Sequence, residues 1–282
     1  MQQFYIFVVA LLFLLAISDL VVGVSNDAVN FLNSAIGSKV APLRVILIIA
    51  TLGIIFGATF SSGMMEVARK GIFNPGEFYF ADLMVIFLAV MLTDIILLDL
   101  FNTFGLPTST TVSIVFELLG ASVAIALIKL TGDPDGAHTL GTYINSSKAL
   151  AIISGILLSI VVAFSAGALI MYLTRVLFSF NYQRNMKYFG SVWGGLAITA
   201  IIYFMLIKGS KGASFMNENV TGWISDNTTM LLLSSFLGWT LILQLLIWLF
   251  KINIPRIIVL VGTFSLAMAF AGNDLINFIG VP

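Results

Sequence analysis

The chain has 282 residues, of which 60% are hydrophobic and only 9% charged, and its mean hydropathy is +1.09. That composition excludes a water-soluble globular domain and marks an integral membrane protein. Thirteen basic and thirteen acidic residues cancel, which removes the footprint of a nucleic-acid binder, and the lack of cysteine removes disulfides and thiolate metal sites.

A membrane-crossing helix needs about 20 predominantly apolar residues. Eight stretches qualify, over roughly residues 4–36, 43–65, 82–104, 107–130, 147–177, 188–207, 229–250 and 255 to the end. The expected fold class is therefore an all-α integral membrane protein of about eight transmembrane or re-entrant helices, with connections too short for a soluble domain. The first stretch lacks a basic n-region and runs into Asn26–Asn30 instead of a small-residue cleavage site, so it reads as a retained span and not a secretory signal.

Within that first stretch Asp19, Gly23, Asn26, Asn30, Asn33 and Gly37 recur at steps of four, three, four, three and four, which sets them along one helical face. A small, polar face suits close helix packing, but three amides with flanking carboxylates exceed what packing requires. If the backbone unwinds near Gly23-Val24-Ser25, free carbonyls join the Asp27 and Asn30 oxygens in an all-oxygen cage of the kind hard cations such as Na⁺ prefer.

The third and fourth stretches meet at Gly105-Leu106-Pro107-Thr108-Ser109-Thr110-Thr111. Gly105 permits a tight turn and Pro107 suits the first position of a new helix. The start of that helix, rich in N–H groups and hydroxyls, suits an oxyanion; the alternative is an ordinary capping cluster. So short a link makes the two stretches a helical hairpin, re-entrant or fully spanning.

Charge is placed asymmetrically along these stretches. Every Lys and Arg falls at a span end or in a loop, whereas Asp19, Asp27, Asp94, Asp99, Glu117 and Asp274 fall within apolar segments. Each costs about 2.5–3.5 kcal/mol at mid-membrane. With no base beside it, such a carboxylate is neutralised by a proton or by a bound cation. Asp19, Asp99 and Glu117 equally suit an interface or a wet cavity. The sole histidine, His138, lies in Gly132-Asp133-Pro134-Asp135-Gly136-Ala137-His138 and reads as a surface-loop residue.

The last stretch repeats a pattern from the first. Asn26-Asp27-Ala28-Val29-Asn30-Phe31 returns as Asn273-Asp274-Leu275-Ile276-Asn277-Phe278, with a glycine following each copy at Gly37 and Gly280. A duplicated polar site in apolar surroundings marks a transporter of two homologous halves, although chance similarity of two helices produces shorter matches. An odd number of crossings separates the copies, so they run in opposite directions. Residues 1–282 thus read as one transmembrane domain, with approximately 1–250 as a first repeat plus connecting helices and 255–282 as the start of a second. The second copy arrives as the chain ends at Pro282, which reads as part of a longer protein whose C-terminal half, or a second chain, completes the site.

The run Gly23–Val40, GVSNDAVNFLNSAIGSKV, resembles the signature of the inorganic phosphate transporter (PiT) family, whose usual form is close to GANDVANxxGTxVGS. GLPTSTT at Gly105–Thr111 resembles that family's GxPxSxTH element, and the last residues resemble the opening of its second signature. The resemblance implies a cation-coupled symporter, using Na⁺ or H⁺, that carries inorganic phosphate through a pseudo-symmetric site between inverted repeats. It implies phosphate contacts at Asn26, Ser109, Thr110, Thr111 and Asn273, and cation contacts at Asp27, Asn30, Asp274 and Asn277. Na⁺ is the implied ion there, with no transition metal, no organic cofactor and no enzymatic activity. The implied partners are phosphate, the coupling ion and membrane lipid, homo-oligomerisation is compatible with such spans, and the implied location is a cell membrane, the inner one in a bacterium.

The sequence also departs from the family pattern. Val112 stands where the family's histidine follows the hydroxyl run, and the buried Phe-Glu pair of the family's second span falls near Leu52-Gly53-Ile54, which holds no acid. Glu66, Asp94, Asp99 and Glu117 are the candidates to compensate. Phosphate beside Asp27 and Asp274 would be strongly repelled in a low dielectric, so cations must bind before it or with it. Other readings are a carrier of sulfate or another oxyanion, an intramembrane prenyltransferase-like enzyme enlisting Asp94 and Asp99 around Mg²⁺, and a channel or structural subunit. The prenyltransferase reading wants basic residues near the motif to meet a diphosphate, and the spans hold none.

Overall fold

A computed structural model describes residues 2–59, 72–132, 138–204, 218–250 and 252–273. The helices among them are α1 (Gln2–Gly37), α2 (Leu43–Thr59), α3 (Phe80–Phe104), α4 (Thr110–Thr131), α5 (Ser146–Phe178), α6 (Tyr182–Tyr203), α7 (Glu218–Asp226), α8 (Thr228–Phe250) and α9 (Ile254–Asn273). Short helical turns occupy Pro75–Glu77 and Leu140–Tyr143, and one antiparallel bridge joins Phe73 to Ile144. The chain is an all-α integral membrane protein. Among the described residues six helices, α1, α3, α4, α5, α8 and α9, are long and apolar enough to cross a membrane. The other two expected stretches are helical as well: α2 has 17 described residues, and α6 begins at Tyr182, six residues earlier than expected, with Gln183, Arg184, Asn185 and Lys187 in its first turns.

The chain divides into two compact units, one of residues 1–30, 64–157 and 270–282, the other of 31–63 and 158–269. In the first unit α3 and α4 form the expected hairpin. Ile86, Val90, Ile114, Leu118 and Ala126 make its buried seam, extended by Phe73, Phe78 and Tyr143 from the loops. Val8, Leu12 and Ala16 of α1 bury against Met84 and Met91 of α3. At the far end of the hairpin, Lys129 reaches Asp82 at 3.0 Å, donates to the Glu77 carbonyl, and stands 4.3 Å from the Tyr79 ring centroid. One cation thus ties the end of α4 to the start of α3, with ring faces completing its surroundings.

Two sequence-based expectations about backbone breaks are corrected. The helix α1 runs without interruption through Gly23-Val24-Ser25. The Ser25 hydroxyl donates to the Val21 carbonyl at 2.7 Å, so this turn satisfies its own carbonyls and offers none to an ion. At about 1.5 Å per residue, its 36 residues span roughly 54 Å, longer than the ~30 Å hydrocarbon core. Nor is Pro107 the first residue of α4. The helix begins at Thr110, because the Ser109 hydroxyl caps it by accepting the Val112 N–H at 3.4 Å. Pro107 instead holds the extended lead-in.

The second unit packs by close approach. Gly53 of α2 lies so near α9 that an added Cβ would meet the Phe264 carbonyl and stand 3.0 Å from Ala267. Gly194 and Gly195 of α6 face Leu243 and Thr240 of α8, and the Ser191 hydroxyl donates to Gln244 Oε1 at 2.6 Å. Small residues at the seam are how helices approach when lipid offers no hydrophobic advantage to packing. The most apolar window of α5 is only 6% buried.

Candidate ion and anion site

The site is built where α1 passes the α3–α4 turn. The backbone of that turn closes α3 with Gly105 in the left-handed region (φ 66°). Its N–H bonds to the Asn102 carbonyl and the Leu106 N–H to the Phe101 carbonyl, the two bonds of a Schellman motif. An L side chain at position 105 would be strained, which is why the family-like glycine sits there.

Asn26 of α1 is the clamp on this turn. Its amide nitrogen donates to Asn102 Oδ1 at 2.8 Å and to the Leu106 carbonyl at 3.1 Å, while its Oδ1 accepts the Thr108 N–H at 2.9 Å. Asn102 in turn donates to the Val22 carbonyl at 3.0 Å. The four contacts close a ring between α1, the last turn of α3 and the lead-in to α4. Asn26 is only 4% exposed, so each contact replaces one that water cannot supply.

Beside this ring lies the Asp27 carboxylate, also 4% exposed. The Thr110 hydroxyl donates to Asp27 Oδ2 at 3.1 Å and the Asn30 amide to Asp27 Oδ1 at 3.2 Å. Thr110 is the first residue of α4, so the carboxylate sits at the positive end of that helix. A helix N-terminus bearing a hydroxyl suits an anion in general, and here a side-chain anion already stands against it. Each carboxylate oxygen accepts more than one bond, so donors and a cation can share it.

A profile of the phosphate transporter family matches residues 23–281. The chain belongs to the phosphate transporter family. A protein described as a candidate phosphate permease of Pyrococcus abyssi (strain GE5 / Orsay) is 28% identical over 260 residues, covering 91% of this chain and 61% of that protein. One from Thermococcus kodakarensis is 28% identical over 194 residues, 67% of this chain and 45% of its own length. A solved structure titled as the sodium-dependent phosphate transporter matches with a TM-score of 0.69 at 18% identity, over 96% of this chain and 66% of that one. This chain therefore spans about half to two thirds of the relatives it matches. Its family is one of transporters, which sets aside the prenyltransferase-like reading and makes it a multi-pass membrane protein.

Of the residues this family resemblance singled out, Asn26, Asp27, Asn30, Ser109 and Thr110 come together around the α3–α4 turn, with Thr111 half-buried on the first turn of α4. Asn26 and Ser109 spend their side chains on the protein itself, the first as the clamp and the second as the cap. Asn33 and Gly37, on the same α1 stripe, are exposed. Asn273 is the last residue of α9, while Asp274, Asn277 and Glu66 lie outside the described residues. His138 is exposed, 6.1 Å from the Tyr143 ring. Asp99 is exposed on α3. Sequence reasoning missed Asn102. Its signal was present, a carboxamide in the last turn of an apolar span three residues before a helix-ending glycine, but without the fold nothing paired it with Asn26.

Proposed function

We propose that the complete protein carries inorganic phosphate across the membrane together with Na⁺ or H⁺. The observation that supports this most directly is the Asp27 carboxylate, buried at the start of α4 with the neutral donors Thr110 and Asn30 against it. In this reading Asp27 and Asn30, with Asp274 and Asn277 of the repeated motif, hold the coupling cation. Asn26, Ser109, Thr110, Thr111 and Asn273 supply or orient donors for phosphate.

The order of events follows from charge. Phosphate near neutral pH carries one to two negative charges, and a second anion beside Asp27 in a weakly screened site is repelled. A cation on Asp27 reverses that sign, so ion binding sets phosphate affinity and the two are thermodynamically linked. The helix N-terminus then acts on phosphate without opposition from the carboxylate. The duplicated motif fits an arrangement in which two inverted repeats share one central site, with residues 255–282 opening the second repeat.

Uptake of labelled phosphate into vesicles, with Na⁺ replaced by choline across a range of external pH, tests the proposal. Uptake should fall when both Na⁺ and the inward proton gradient are removed. Affinity that is indifferent to both would sink it. Excess sulfate should leave uptake intact; competition by sulfate would redirect the substrate to tetrahedral oxyanions at large. Counterflow of preloaded phosphate separates a carrier from a channel.

A further inference from the structure

A second buried acidic group lies on the same three helices, apart from the Asp27 site. Asp94 of α3 and Glu117 of α4 are bridged by the Ser113 hydroxyl, which stands 2.5 Å from Asp94 Oδ1 and 2.8 Å from Glu117 Oε1. Ser113 has one hydrogen to give, so it satisfies one of these oxygens at a time. Asp94 Oδ2 and Glu117 Oε2 are buried without a hydrogen-bond partner.

Asp19 enters from the third helix. It is wholly buried, neither of its carboxylate oxygens has a hydrogen-bond partner, and its carboxyl lies within hydrogen-bonding range of Asp94. Glu117 reaches Asp94 in the same way. Asp19 and Glu117 thus each stand beside Asp94, yet among the described residues no donor but Ser113 lies between the three carboxyl groups. Leaving buried acceptors so close and unbonded is costly, and leaving more than one of them charged is costlier.

Among the described residues the surroundings offer no positive side chain. Asp19 is the titratable group that α1 turns to this cluster, Asp27 lying eight residues, about 12 Å, further along it. The helix α3 supplies Asp94, and Asp99 beyond it is exposed. The helix α4 supplies Ser113 and Glu117, and Lys129, twelve residues on, is engaged with Asp82. Lys148 at the start of α5 is exposed, and the described end of α9 brings no titratable side chain to this unit.

We propose that Asp19, Asp94, Glu117 and Ser113 form a proton-binding site distinct from the Asp27 site. A proton between Asp19 and Asp94 supplies the missing donor to the first pair. A second proton, on Asp94 or Glu117, completes the bridge that the Ser113 hydroxyl begins. The transfer is simple association: the proton comes from water, forms an O–H bond on one carboxyl and hydrogen-bonds to the next. A metal ion suits the arrangement less well, because among the described residues no three acidic or histidine side chains are set around a common point to hold one. Groups that share protons in this way titrate as a unit.

Infrared difference spectroscopy on the chain in lipid nanodiscs tests this directly, near neutral pH in buffer free of Na⁺ and phosphate. The protein should show the C=O stretch of a buried protonated carboxyl, shifting in D₂O and disappearing at high pH. The triple variant Asp19→Asn, Asp94→Asn, Glu117→Gln should lose the band, Asp27→Asn should keep it, and Ser113→Ala should move it without removing it. Absence of the band in the unmodified chain overturns the proposal, as does its loss in Asp27→Asn. Should the triple variant fail to fold, the unmodified chain still decides, because removal of the band by added Na⁺ at constant pH identifies the occupant as a metal cation instead. Phosphate takes no part in the readout, so a chain that carried none would leave this result unchanged.

Discussion

The two units solve the same problem, holding apolar helices together in lipid, by different means. In the first, amides and carboxylates are buried between α1, α3 and α4 and bonded to one another, as in the ring through Asn26 and Asn102. In the second, glycines let backbones touch, as Gly53 does against Phe264 and Gly195 against Thr240. Steric packing tolerates no added atoms but carries no charge. Buried polar contacts weaken the apolar seam and create a place where an ion matters. Among the described residues the fully buried carboxylates, Asp19, Asp27 and Asp94, all belong to the first unit.

The sharpest way to break that division is Asp27→Asn, which keeps the shape and removes the charge. Cation-driven phosphate uptake should fall by about 100-fold, on the order of 3 kcal/mol, with the folded fraction in detergent unchanged. An active variant would strip the first unit of its proposed role. Gly53→Val tests the other side of the comparison. Its side chain would run into the Phe264 carbonyl, which cannot rotate away, and stability should drop by about 1–3 kcal/mol, read as a lower melting temperature of the purified protein. Asn102→Ala removes the acceptor for Asn26 and the donor to Val22. A loss of about 1–2 kcal/mol is expected in the same melting experiment, and an unchanged melting temperature would mean that the polar ring does not hold the first unit together. The smallest effect should come from Ser109→Ala. Losing the cap of α4 costs about 1 kcal/mol, and a much larger fall in uptake than in stability would show the hydroxyl acting on the substrate as well.

Much of this was legible in the residues. Apolar runs located the spans, since about 20 such residues in a row have few other uses. The periodic polar stripe on α1 located Asp19 and Asn26, and burial of both follows that stripe. The stripe did not foretell its own end: Asn30 and Asn33 share the face but are exposed. Unwinding at Gly23-Val24-Ser25 was a reasonable reading of small residues beside a polar motif, yet Ser25 can bond back to its own helix and glycine in a helix interior costs only about 1 kcal/mol. The start of α4 was misplaced by three residues because Pro107 and Ser109 both signal a helix beginning, and the residue with a hydroxyl to bond the first turn prevailed.

Composition and pattern alone determined that this is a helical membrane protein with intramembrane carboxylates and no bases to match them. Those are properties of single segments and of the solvent they require. Which carboxylates share a site was decided only by the tertiary structure. Asp27 meets Thr110 across 83 residues, and Asp19 joins Asp94 and Glu117 from two other helices. Such pairings depend on the rotation and depth of each helix against its neighbours. Those are set by the whole seam of packed side chains, so no one segment's periodicity contains them.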